Sequence, residues 1–108
     1  MRRHLGEFEQ VLLYALVRLG PDAPGLDVAR VIAERTGRAV SPGAIYTGLD
    51  RLEERRLVSS RLGQPTPQRG GKRRRLNRIT PAGTTLLSDM HAALSELSRG
   101  LAPRLRPS

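Results

Sequence analysis

The chain has 108 residues, enough for one domain with a modest core, and its formal charge of +9 with a pI near 11.6 favours an acidic polymer as partner. It contains no Cys, which excludes disulfides and thiolate metal sites and leaves a reducing compartment, the cytoplasm, as the expected home. Its longest apolar run, Val11 to Val17, is too short to span a bilayer and no small-residue cleavage site precedes it, so no membrane role is expected.

In chain order, Phe8, Val11, Leu12, Ala15, Leu16 and Leu19 recur at helical spacing, predicting an amphipathic helix that Gly20-Pro21 stops. Asp22-Ala23-Pro24-Gly25 reads as a turn. A second helix is expected over roughly Leu26 to Thr36, burying Val28, Ala29 and Ile32 and ending at Gly37 in a left-handed cap. After the short turn Arg38-Ala39-Val40, Ser41 stands at an N-cap position with Pro42 at the first helical position. Ile45, Leu49 and Leu52 then mark the core side of a third helix, which leaves Tyr46, Thr47, Asp50 and Arg51 on or near the other side. Two helices at this separation match helix-turn-helix spacing, in which the second enters the major groove by its N-terminal end.

Leu57 to Leu62 and Arg74 to Ile79 read as two strands joined by a basic tip rich in Gly and Pro. Between Ser59 and Ser88 there is no Asp or Glu, while Arg61, Arg69, Lys72, Arg73, Arg74, Arg75 and Arg78 all fall there. The positive charge is focused on the hairpin, and together with the helices before it this predicts a mainly α (α+β) winged helix-turn-helix. Strand alternation places Arg74 opposite its two neighbours, and the Arg73 to Arg75 run also fits a solvated edge that resists strand-to-strand association. Thr80-Pro81 repeats the cap-plus-proline start and opens a last helix that can run to about Leu101, before Pro103. Its Leu87, Met90, Leu94, Leu97 and Leu101, spaced 3, 4, 3 and 4, form a short heptad seam suited to a homodimer interface. The expected organisation is thus a DNA-binding unit over residues 1–80, a dimerisation helix over 81–102 and a disordered tail over 103–108.

Several residues carry a plainer reading beside the functional one. Tyr46 fits either a phosphate or sugar contact or half-buried structure, and Arg51 fits either a phosphate contact or a pair with Asp50 or Glu54. His4 and His91 have no second ligand three or four residues away, so no metal is expected, although His91 flanks the seam, where protonation could tune association. Gly71-Lys72-Arg73 lacks the first Gly of a P-loop, and no Ser-His-acid set or carboxylate pair can be assembled. Neither a cofactor nor an enzymatic activity is expected.

Over most of its length the sequence resembles the PadR-like transcriptional regulators of the type with a short C-terminal helix. The residues that carry the resemblance are Leu19-Gly20-Pro21, Leu26-Asp27-Val28-Ala29, Ser41-Pro42-Gly43-Ala44-Ile45-Tyr46 with Leu49, Arg51 to Arg55 with Leu57-Val58, and Arg78-Ile79-Thr80-Pro81-Ala82-Gly83. The resemblance implies a homodimeric regulator, usually a repressor, that binds double-stranded DNA and has room for a small-molecule effector at its dimer interface. By position it places Ser41, Pro42, Gly43, Tyr46 and Thr47 at the groove and Arg69, Lys72 and Arg73 at the wing, with Arg51 as a further candidate contact. The sequence departs from the family at Gly25-Leu26, where Gly-Tyr is common, at Thr47, where Pro is common, at Arg56, where Gly is common, and at Leu76-Asn77, where an aromatic pair is common. It also has no Trp, so capture of flat drugs between tryptophans is not expected. Two other classes compete with this reading: a winged helix serving as a protein-interaction module, and a nucleic-acid binder without sequence preference, for double-stranded RNA or the nucleoid.

Overall fold

A computed structural model describes residues 4–65, 67 and 73–107. Four helices, α1 (Glu7–Leu19), α2 (Gly25–Thr36), α3 (Pro42–Glu54) and α4 (Pro81–Ser98), surround a small antiparallel sheet of β1 (Ala23–Pro24), β2 (Val58–Leu62) and β3 (Arg75–Ile79) in the order β1-β3-β2. This is the mainly α winged helix-turn-helix expected from the sequence, with the wing strands paired from Val58↔Ile79 to Leu62↔Arg75.

The helix starts follow their capping chemistry. Gly6 N–H donates to Glu9 Oε1 at 2.9 Å ahead of α1, Ala44 N–H donates to Ser41 Oγ at 3.2 Å, and Gly83 N–H donates to Thr80 Oγ1 at 3.1 Å. α2 ends on Gly37 in the left-handed conformation, φ 76°. α3 ends differently. Arg56 N–H donates to Glu53 O and Leu57 N–H to Leu52 O, both at 2.9 Å, which is a Schellman turn with Arg56 at the left-handed position, φ 61°. That position is where the resembled family commonly has Gly, and the conformation gives the reason.

Leu12, Leu13, Leu16, Val28, Ile32, Ile45, Leu49 and Leu52 build the core where α1, α2 and α3 meet. Gly48 allows α3 to lie close on α1, because a Cβ there would stand 2.5 Å from Leu12 Cδ1. Gly83 plays the same part for α4, where a Cβ would stand 2.3 Å from the Leu57 carbonyl oxygen.

Three features differ from the sequence-based expectations. The segment read as a turn at Asp22 to Gly25 contains β1, which pairs with β3 through Ala23↔Asn77 and Pro24↔Leu76. Asn77 is fully buried beside it and donates from Nδ2 to Ala23 O at 2.9 Å, so a polar side chain occupies the centre of the sheet at the price of an unpartnered Oδ1. α4 closes at Ser98, short of Leu101, and Gly100 follows with φ 79°. The tail carries a 3-10 turn, Ala102–Leu105.

α4 itself is unevenly covered. Gly83 and Leu87 are buried against the rest of the chain, whereas every residue from 91 to 100 is exposed. No described helix is long and apolar enough to cross a membrane.

Candidate nucleic-acid interface

α3 presents its N-terminal half to solvent because its apolar residues are committed elsewhere. Ile45, Leu49 and Leu52 are no more than 1% exposed, while Ser41, Pro42, Gly43, Tyr46, Thr47, Asp50 and Arg51 all lie open. Tyr46 has the packing contacts of the structural reading and is also open to solvent. Its ring rests against the start of α2, so that a Cβ on Gly25 would meet Tyr46 Cε1 at 2.8 Å, yet the residue is 38% exposed.

Next to Tyr46 the beginning of α2 and the base of the wing enclose a cleft of about 230 Å³, lined by Pro24, Gly25, Leu26, Tyr46, Arg73, Arg74 and Arg75. All three consecutive arginines border it, although strict alternation would have turned Arg74 away; β3 begins only at Arg75, so the two residues before it are not held to the strand's pleat. The α2 N-terminus brings backbone N–H groups and the positive end of its dipole to the same place.

The hairpin's arginines divide into two groups. Arg61 Nε donates to Asp22 Oδ1 at 3.0 Å. This hydrogen bond, aided by the charges of Arg61 and Arg78, holds the Asp22 carboxyl below its ordinary value, and the same bond raises Arg61. Arg75 is also engaged, with Nη1 2.5 Å from Asp50 Oδ1 and Nη2 3.3 Å from Glu53 Oε1. Among the described residues Arg73 and Arg74 form no ion pair, and neither does Arg51, whose neighbour Asp50 pairs with Arg75. Arg69 and Lys72, expected at the wing, lie outside the described residues.

A family model described as transcriptional regulator PadR-like matches residues 12–89, which takes in α3, both wing strands and the start of α4. The chain belongs to that family. Transcriptional regulator Rv3488 of Mycobacterium tuberculosis is 43% identical over 67 residues, which cover 60% of this chain and 57% of the relative, so the match spans little more than half of that protein's length. Among solved structures, a transcriptional regulator from Thermoplasma acidophilum superposes with a TM-score of 0.72 at 29% identity, covering 91% of this chain and 89% of its own. A PadR family regulator from Clostridium difficile gives 0.74 at 22% identity over 94% of this chain and all of its own. A winged-helix DNA-binding protein from STIV gives 0.71 at 15% identity over 90% and 97% of the two chains, a likeness of fold alone.

Within this PadR-like chain the remaining candidate residues separate along α4. Leu87 is 5% exposed and packs into the core of the chain, and Met90 is half-buried. Leu94 and Leu97 stand open, and with Ser95, Ser98 and the half-buried Leu101 they line a shallow groove of about 340 Å³. His91 does not stand alone beside the seam: the Tyr14 hydroxyl lies 2.8 Å from its Nδ1, and the two rings meet edge to face. Among the described residues no group of His, Asp and Glu is placed to hold a metal ion.

Sequence reasoning did not single out Leu26, the α2 N-terminus or Arg75 as lining the cleft beside Tyr46. Leu26 is 53% exposed at the cleft; in the sequence it had counted as the start of the second helix and as part of the family resemblance. The engagement of Arg75 depends on two acids more than twenty residues earlier, which no local pattern reveals.

Proposed function

We propose that this PadR-like protein is a sequence-specific, homodimeric repressor of the cytoplasm that binds an inverted-repeat operator in double-stranded DNA and responds to a small molecule at its dimer interface. The observation that carries the proposal is the adjacency of the open N-terminal half of α3 to the cleft bordered by Arg73 and Arg74. An exposed, capped helix start supplies groups for base edges, and unpaired guanidinium groups beside it supply the phosphate contacts that fix its register. In this reading Ser41, Pro42, Gly43 and Thr47 meet the groove, Tyr46 meets sugar or phosphate, and Arg51, Arg69, Lys72 and Arg73 meet the backbone.

Two copies joined through Leu94, Leu97 and Leu101, with Met90 and Leu87 at the inner end of the seam, set the half-sites about 34 to 36 Å apart, one helical turn. A ligand that alters the angle between subunits changes that spacing and releases the operator. The test is footprinting of the purified protein on DNA upstream of its own gene, with excess random duplex competing. Protection of a short inverted repeat supports the proposal. Uniform coverage that vanishes as salt rises overturns it in favour of a non-specific binder, and an absence of protection at any salt points to an acidic protein partner.

A further inference from the structure

A helix meant to approach phosphates carries a charge pattern that opposes the approach. α3 holds Asp50, Glu53 and Glu54 against a single basic residue, Arg51. Asp50 is the most exposed of the acids that Arg75 engages, and it follows Thr47 and Tyr46 by three and four residues, on the same side of the helix as the groove-facing residues. A bare carboxylate there would face the backbone that the helix must approach.

Arg75 stands against these acids from the wing. Its guanidinium bridges Asp50 Oδ1 and Glu53 Oε1, and Glu53 Oε1 also accepts a hydrogen bond of 2.6 Å from Ser60 Oγ on β2. The Arg75 side chain is only 24% exposed, so its charge is turned inward to α3 and not outward to a ligand. Arg75 also opens β3 opposite Leu62, the last residue of β2, so the bridge joins the base of the wing to the reading helix.

Resting on the reading of α3 and the wing as the DNA-binding surface, we infer that Arg75 is a positioning residue that neutralises Asp50 and Glu53, and that operator binding requires this internal neutralisation and not a contact between Arg75 and DNA. Like charges facing each other across a partly desolvated interface oppose association, and their cost falls with added salt. Loss of Arg75 therefore exposes two carboxylates to the phosphates while leaving Arg73 and Arg74 in place.

The experiment measures operator affinity by fluorescence anisotropy, with thermal denaturation alongside, for the full chain and four variants: Arg75→Gln, Arg75→Lys, the pair Asp50→Asn with Glu53→Gln, and all three changes of Arg75→Gln, Asp50→Asn and Glu53→Gln together. Arg75→Gln is expected to weaken binding at least tenfold at low salt, with a smaller loss at high salt. Arg75→Lys should retain most of the affinity, and the triple variant should return to within about threefold of the parent protein.

If Arg75 instead holds phosphate, the triple variant stays as weak as Arg75→Gln even while the Asp50→Asn, Glu53→Gln pair binds at least as tightly as the parent; that weakness of the triple variant overturns the inference. A loss that follows lowered thermal stability and is not restored in the triple variant overturns it as well, because it reduces Arg75 to a structural strut. Failure of the parent protein to bind any duplex would instead refute the underlying DNA-binding reading, and so is distinguishable from failure of the inference.

Discussion

The two halves of α4 are the same helix in different surroundings. The first half is seated on the rest of the chain: Thr80 Oγ1 donates to Arg56 O at 2.7 Å, Thr80 N–H donates to Leu57 O, Gly83 presses against the Leu57 carbonyl, and Leu87 reaches the core. The second half has the same heptad spacing of leucines, yet among the described residues Leu94 is 46% and Leu97 78% exposed. The difference teaches that one apolar repeat can be buried in its own core at one end and left open at the other, and that the repeat alone does not say where the change falls.

The sharpest way to break this comparison is at the seated half. Leu87→Ala should lower the unfolding free energy by about 2–5 kcal/mol, measured by urea denaturation, because it leaves a cavity in the core. The loss should be the same at every protein concentration. At the open half, Leu94→Ser with Leu97→Ser should weaken self-association by about 100-fold in sedimentation equilibrium, from the apolar area no longer buried. The melting temperature of the dissociated subunit should not change, and a large drop there would mean that these leucines serve their own fold.

A smaller effect of opposite sign is expected where the seated half rests. Arg56→Gly should stabilise by about 0.5–1 kcal/mol in the same denaturation assay, since glycine occupies the left-handed turn without steric cost. The smallest effect belongs to the exposed pair Asp22 and Arg61. The folded Asp22 carboxyl lies below its ordinary value of 3.8, so its contribution is fully present above that value and is lost as pH falls through the folded one. The stability of Asp22→Asn should therefore match that of the parent more closely in strong acid than at neutral pH, with no dependence on protein concentration.

Much of the architecture was legible because it rests on local chemistry. Ser41-Pro42 and Thr80-Pro81 mark helix starts by caps that need no distant partner, and Ile45, Leu49 and Leu52 mark a buried face by spacing alone. β1 was not legible, because two residues, one of them proline, have neither alternation nor strand propensity; only β3 beside them makes them a strand. The candidate interface was half legible for the same reason. The open face of α3 follows from its periodicity, but the division of the hairpin's arginines into engaged and free depends on Asp22, Asp50 and Glu53, which approach only in the folded chain. Leu87 shows the limit in the other direction: its place in the heptad is real, yet its side chain already belongs to the domain.

The bond from Asn77 to Ala23 joins residues 54 positions apart. Closing so long a loop costs chain entropy that one two-residue strand cannot offset, so the edge pairing is expected to form only after the helices have collapsed around α1. The start of α2, which β1 tethers beside Tyr46, is then among the last parts of the surface to reach its final position. On that expectation Asn77 is a late latch in the order of folding: a nascent or partly opened chain would form α3 before gaining the neighbour against which the Tyr46 ring is set.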